Sequence, residues 1–114
     1  MIRIDIKALS INEAYKGRKF STPALAQYKK DLYALLPKKL KVPEGKLSVR
    51  FFFGFSSKSA DGDNAIKAFQ DALGEYYGFN DKRIYEWHVK KVDVKKGKEY
   101  ISFELSPLDF QDRI

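Results

Sequence analysis

The chain opens on strict alternation. Ile2, Ile4 and Ile6 fall on one side and Arg3, Asp5 and Lys7 on the other, the period-two pattern of a half-buried strand over 2–8. Residues 10–20 (SINEAYKGRKF) are polar and interrupted by Gly17, which reads as a loop or a short hairpin arm. Ser21 and Thr22 then offer an N-cap, and Pro23 suits the first helical position. From there Leu25, Tyr28, Leu32 and Leu35/Leu36 recur at helical spacing until Pro37 stops the run. A basic connector and a turn at Pro43-Glu44-Gly45 lead into 46–55 (KLSVRFFFGF), whose β-branched and aromatic content predicts a central strand. After a small polar loop over 56–62, Asp63 is placed to cap a second helix reaching about Tyr77. Ile66, Phe69, Leu73 and Tyr76/Tyr77 lie on one face of it, and Gly78 ends it. Residues 83–95 and 99–105 read as two strands of a hairpin turned around Lys96-Gly97, and the tail after Pro107 as irregular or a short helical end. The order β–α–β–α–β–β predicts one domain over 1–114, an α/β (α+β) fold with a small mixed sheet and two main helices. There is no internal repeat and no linker.

Composition narrows the class. A chain of 114 residues accommodates one core of ordinary size. With 44% hydrophobic and 15% aromatic residues, that core closes without staples, which excludes disordered and collagen-like chains. There is no Cys, hence no disulfide frame, no thiolate nucleophile and no Cys-based zinc site; the single His, His88, leaves little for His-based metal sites or triads. The longest apolar run, around Phe51 to Phe55, falls far short of the ~20 residues that span a bilayer. The first ten residues carry no apolar signal-peptide segment. The expectation is a soluble cytoplasmic domain without a membrane partner.

Charge is unevenly distributed. Of 22 Lys/Arg and 15 Asp/Glu, residues 1–60 hold 13 and 4, a balance of +9, and residues 61–114 hold 9 and 11, a balance of −2. A basic excess favours a polyanion such as nucleic acid, or it is simply a solvated, Lys-rich surface. The acids decide more, because a carboxylate in a DNA groove opposes binding unless a metal neutralises it.

The most informative stretch is Asp61-Gly62-Asp63-Asn64-Ala65-Ile66-Lys67, followed by Asp81. An extended backbone points Asp61 and Asp63 the same way. Two ionised carboxylates a few Å apart repel unless a cation sits between them. A hard cation such as Mg²⁺ takes such oxygen ligands and keeps part of its water shell for a substrate phosphate. Gly62 allows the backbone between them to turn tightly. Asp81 joins the pair only if the chain folds back after Gly78. Lys67, four residues after Asp63, would share its polar stripe on the helix and could pair with it, touch a phosphate or hold a water. A structural reading stands beside this one: Asp63 as N-cap, Asp61 as a favourable charge at a helix start, Asp63–Lys67 as an ordinary i,i+4 pair, and Asp81 as a turn residue.

The string Asp61-x-Asp63-Asn64-x-x-Lys67-x-x-x-Asp71-Ala72-Leu73, then Asn80-Asp81-x-x-Ile84, resembles the signature of RusA-type Holliday-junction resolvases. Glu86-Trp87-His88-Val89-Lys90-Lys91 is similar to the strand that follows it in that family. Upstream, Ser10-Ile11-Asn12-x-x-Tyr15, Gly17 and a first helix bearing Tyr28 also resemble members, so the likeness covers nearly the whole chain. It implies a small α/β homodimer, bacterial or prophage-encoded, that binds four-way or branched DNA. It further implies Mg²⁺-dependent nicking of opposed strands that leaves 5′-phosphate ends. Carried over, Asp61, Asp63 and Asp81 match the metal-binding acids and Lys67 the catalytic lysine; Asn64 and Asp71 match motif positions read here as structural. Where some members carry an arginine run before the first Asp, this chain has Ser57-Lys58-Ser59-Ala60, which bears on the strength of junction binding.

DNA contacts are expected from Lys16, Arg18, Lys19, Lys38, Lys39, Lys41, Lys58 and Lys82, with Lys90 and Lys91 in support. Phe51, Phe52, Phe53 and Phe55 are expected in the core or a dimer interface, and Tyr85 and Trp87 inside or between subunits. Two alternatives remain: a DNA-binding protein that keeps the basic face but does not cut, and a Mg²⁺-dependent nuclease acting on flaps or duplex.

Overall fold

A computed structural model describes residues 1–16, 20–60 and 62–108. The side chains of Lys16 and Phe20 are not among the described parts, and the tail from residue 109 lies outside them. Strand β1 (Ile2–Ile4) is followed by a one-turn helix α1 (Ile11–Ala14) and a two-stranded arm, β2 (Tyr15–Lys16) and β3 (Phe20–Ser21). Helix α2 (Pro23–Leu35) leads to β4 (Leu47–Phe55). A 3-10 turn at Gly62–Ala65 then precedes α3 (Ile66–Tyr77), and a second, at Asp81–Arg83, precedes β5 (Ile84–Asp93) and β6 (Tyr100–Pro107). The result is a small compact α+β domain with a four-stranded mixed sheet and three helices among the described residues. No helix among them is long and apolar enough to cross a membrane.

The alternation at the N-terminus yields a strand only to Ile4; Ile4 is buried while Ile2 and Ile6 are half-buried. The segment read as a loop contains α1. Its Ser10 hydroxyl accepts the Glu13 N–H at 3.2 Å, as an N-cap does. Thr22 caps α2 by accepting the Leu25 N–H at 3.3 Å, and its own hydroxyl donates to the Glu13 carbonyl at 2.5 Å, so one residue joins the two helix ends. Leu36 ends α2 one residue before Pro37, as the restriction on the residue preceding proline requires.

The sheet order is β1–β6–β4–β5. β4 is antiparallel to β6 and parallel to β5, and β1 is antiparallel to β6. This corrects the expected hairpin. β5 and β6 do not pair with each other, because β4 lies between them, and the connection around Gly97 steps over the end of β4, where the Val94 N–H donates to the Phe55 carbonyl at 2.9 Å. A parallel β4–β5 pair needs a crossover of a dozen or more residues, and α3 supplies it.

One face of the sheet carries the core. Leu47, Val49, Phe51 and Phe53 of β4 and Ile101 and Phe103 of β6 are fully buried against Ala68, Phe69, Ala72 and Leu73 of α3. The Phe69 ring meets Phe51, Phe53 and Phe103 edge-on at centroid distances of 5.1, 6.0 and 5.6 Å, the geometry aromatic quadrupoles favour. α2 packs beside α3, where Lys29 reaches both Glu75 oxygens at 2.9 and 3.0 Å, Tyr33 donates to Glu75 at 3.0 Å, and the Tyr77 hydroxyl donates to the Pro37 carbonyl at 2.7 Å.

Candidate functional site

With Ala68, Phe69, Ala72 and Leu73 turned inward, helical spacing leaves Lys67, Gln70, Asp71 and Gly74 as the outward stripe of α3. Lys67 donates to Asp71 at 3.0 Å along this stripe. Of the roles open to Lys67, pairing with Asp63 gives way to pairing with Asp71. The reason is the helix start: Asp63 sits inside the 3-10 turn, the residue at the N-cap is Ala65, and no side chain caps α3 there. Asp63 is accordingly not the cap, and it is exposed. The Asp71 hydrogen bond holds the Lys67 ammonium above the usual lysine value against the opposing effect of partial burial, with the charges of Asp71, Tyr15 and Asp81 adding to it. Lys67 stays cationic within the field of both Asp71 and Asp81.

Two shallow grooves meet on this stripe. Asp63, Ile66, Lys67, Gln70 and Trp87 line one of about 350 Å³, and Gln70, Asp71, Gly74, Glu75, Phe79, Asn80 and Asp81 line one of about 320 Å³. At roughly 30 Å³ per water, each has room for a solvated ion or a phosphate group. Gln70 belongs to both grooves and accepts the Trp87 indole N–H at 2.7 Å, so it ties α3 to β5 where they join.

Asp81 reaches this stripe because the chain does fold back. Gly78 adopts the left-handed conformation (φ 73°), and the Gly74 carbonyl accepts N–H groups from both Gly78 and Phe79, at 2.9 and 3.0 Å. A Cβ on Gly74 would lie 2.8 Å from the Phe79 carbonyl oxygen, so the return path needs glycine there. The Asn80 side chain accepts the Lys82 N–H at 2.9 Å and starts the turn that begins at Asp81. Asp71 and Asp81 thus line one groove, while Asp63 lines the other with Lys67.

Asp61, the first of the expected metal ligands, lies outside the described residues. Among the described residues, no three His, Cys, Asp or Glu side chains converge as a metal site. The donor chemistry of Asp63 and Asp81 suits a hard cation such as Mg²⁺, but the two carboxylates line different grooves. Asn64 does not turn to Asp63: it lines a separate cleft of about 240 Å³ with Glu13 and Glu99.

Of the expected DNA-contacting cations, Lys38, Lys39, Lys41, Lys58 and Lys82 are exposed. Arg18, Lys19 and the Lys16 side chain lie outside the described residues. Lys58 follows β4, and its carbonyl accepts from Lys91 at 2.7 Å. Lys82 sits beside Asp81 in the 3-10 turn, and Arg83 fastens that turn to the connector by donating to the carbonyls of Gly45, at 2.9 Å, and Pro43. Exposed lysines therefore occur in three segments, the connector, the turn at Asp81 and the loop before Asp61; of these, the turn borders a groove, through Asp81.

Sequence reasoning missed Gln70 and assigned no groove role to Trp87. The first was detectable, since Gln70 is three residues from Lys67 on the same helix and so shares its stripe. On the sheet face without helices, the Glu86 carboxylate accepts from Ser48 at 2.9 Å and lies 2.5 Å from His88 Nε2. The His88 contact first, then Ser48, holds Glu86 below the usual carboxylate range. Scanned against models of known protein families, the chain matches none, and a search among curated proteins returns no match.

Proposed function

We propose that the chain is a structure-selective, Mg²⁺-dependent endodeoxyribonuclease of RusA type, acting as a homodimer on four-way DNA junctions and nicking opposed strands to leave 5′-phosphate ends. The observation that carries the reading is Lys67: a lysine on the exposed stripe of α3, held cationic by Asp71 and Asp81, in a groove that Asp63 also lines. Asp61, Asp63 and Asp81 would hold the Mg²⁺, which when bound supplies charge neutralisation and an acidified water. Lys67 places a fixed positive charge beside the phosphate, where charge builds up in the transition state. Asp71 orients Lys67 and keeps it protonated. The lysines of the connector, the loop before Asp61 and the 82 position neutralise flanking phosphates.

The test is cleavage of a synthetic four-way junction in Mg²⁺ by Asp63→Asn, Asp81→Asn and Lys67→Ala. Each is expected to lose about 100-fold or more in rate, with junction binding retained by the Asp variants because a repulsive charge has gone. EDTA is expected to abolish cleavage. Wild-type rates in the two Asp variants would remove the assignment. Because Lys67 is raised above its ordinary value of 10.5, its protonated form persists through neutral and mildly alkaline pH. A fall in rate caused by Lys67 deprotonation is therefore expected only above pH 10.5.

A second reading, a junction-binding protein that does not cut, draws on one observation: Lys67 is already engaged by Asp71. It predicts tight, salt-sensitive junction binding with no Mg²⁺-dependent nicks, so the same assay separates the two. A panel of junction, flap, duplex and single strand separates both from a general branched-DNA nuclease.

A further inference from the structure

β5 ends the sheet, and among the described residues nothing pairs with its outer edge. Such an edge is a ready template for another strand, and this one is apolar as well as open. Tyr85, Trp87 and Val89 are 58%, 46% and 39% exposed. Trp87 and Val89 stand in register with the buried Val49 and Phe51, so both project on the helix side of the sheet, at the margin of α3, whose Gln70 reaches Trp87. The opposite face of the same strand carries Glu86, His88 and Lys90. From Glu86 to Asp93 the register with β4 is unbroken, so the edge is straight enough to accept a full partner strand.

We propose that the occupant of this edge is β5 of a second copy of this chain, paired antiparallel about a two-fold axis through His88. The homodimer is part of the functional reading above; its location rests on β5 alone. In antiparallel pairing about a two-fold axis, facing residue numbers sum to a constant, and only even sums keep apolar side chains opposite apolar ones. Centring on His88 sets each Trp87 against Val89 of the second copy and each Glu86 against its Lys90, two apolar pairs and two ion pairs per dimer. Centring on residue 86 faces Glu86 with itself, and centring on residue 90 faces Lys90 with itself, both repulsive. Centres at 87 and 89 set Glu86 against His88 and Val92 respectively, so neither forms the Glu86–Lys90 pair. The charge pattern therefore selects one register. The dimer is a continuous eight-stranded sheet with both helix layers on one face, and the two Asp63–Lys67–Trp87 grooves flank its seam.

The experiment measures molecular mass by sedimentation across a concentration series, with circular dichroism confirming that each variant is folded. The wild type is expected to be a dimer. Glu86→Lys alone and Lys90→Glu alone are each expected to weaken it by about tenfold or more, since each places like charges opposite twice. The double swap, Glu86→Lys with Lys90→Glu, is expected to restore it. Residues facing each other across the axis have Cα atoms about 4.5–5.5 Å apart, within disulfide reach. The natural chain has no cysteine, so His88→Cys is expected to give a disulfide-linked dimer on mild oxidation, while Lys96→Cys, in the β5–β6 connection, is not. A monomer at every concentration, a dimer indifferent to the single reversals, or one that His88→Cys fails to cross-link would each overturn the proposal. None of these readouts depends on DNA cleavage. A dimer that behaves as expected but does not cut would leave the interface standing and remove only the nuclease reading.

Discussion

β4 and β5 lie side by side, run the same way and keep register from Ser48 opposite Glu86 to Phe55 opposite Asp93, yet their side chains occupy different solvents. In β4 every residue on the helix side is buried, and Leu47, Val49, Phe51 and Phe53 are fully so. In β5 only Ile84 is buried, and Trp87 and Val89, the neighbours of Val49 and Phe51, face water. Both segments are rich in aromatic and β-branched residues. What separates them is position: β4 has a strand on each edge and the helix layer over one face, whereas β5 has one neighbour among the described residues and lies at the margin of α3. Strand-like composition marks a surface that can be buried; topology decides whether the same chain buries it.

The sharpest way to break this contrast is a pair of truncations at one register position. Phe51→Ala is expected to cost about 3–5 kcal/mol in urea unfolding, since it leaves a cavity beneath Phe69. Val89→Ala, directly beside it, is expected to change the stability of the isolated subunit by no more than about 0.5 kcal/mol. Equal effects at the two positions would mean that β5 is covered in the monomer.

The helix layer provides a pH version of the comparison. Burial, assisted in Tyr33 by the hydrogen bond to Glu75 and in Tyr77 by the charge of Tyr76, pushes both phenols up to about 12, and burial raises Tyr28 as well. The folded state therefore holds these protons more tightly than the unfolded chain, where tyrosine titrates near 10. Their stabilising contribution is complete below about pH 10 and is lost as pH rises through 12. Thermal melts are expected to hold steady up to about pH 10 and to fall steeply beyond it. A third test uses Tyr28, whose buried hydroxyl has no hydrogen-bond partner among the described residues. Tyr28→Phe removes an unsatisfied polar atom and is expected to stabilise the fold by about 1 kcal/mol in urea.

The smallest expected effect belongs to an exposed ion pair. The Lys29 and Tyr33 hydrogen bonds hold Glu75 below the usual carboxylate range. Its contribution is present above the unfolded carboxyl value and fades as pH falls through the lowered folded one. The Glu75 side chain is 56% exposed, so Glu75→Gln is expected to cost only a few tenths of a kcal/mol, smaller still in high salt.

Much of this architecture could be read from local chemistry, and the misreadings have physical causes. Thr22-Pro23 at the start of α2, Gly78 at the end of α3 and the burial of β4 all follow from capping, left-handed geometry and hydrophobic content. α1 was legible too: Ser10-x-x-Glu13 carries the residue pattern of a capping box, hidden within a segment that otherwise reads as polar loop. The β5–β6 hairpin was not legible, because the turn signal at Lys96-Gly97 is local and nothing local reveals that β4, made some thirty residues before β5, lies between the two strands. At the site, a start of α3 a few residues later than the sequence suggests removes Asp63 as a helical partner of Lys67. Asp71 is also four residues away, on the C-terminal side, and becomes the partner once Asp63 belongs to a 3-10 turn. The approach of Asp81 depended on Gly74, a glycine inside a helix, which is itself a sign of close backbone contact.

The pairing of β1 with β6 bears on how the chain is made. Ile2 faces Phe103 and Ile4 faces Ile101, so the first strand of this domain must wait for its last. β6 is also the antiparallel neighbour of β4, and until it emerges β4 has one edge bare and the Phe51–Phe53 surface incompletely covered. Closing so long a loop is slow compared with forming α2 or α3. From the emergence of β4 until that of β6 the nascent domain therefore carries its most apolar strand half-covered, and the sheet can close only once β6 is out.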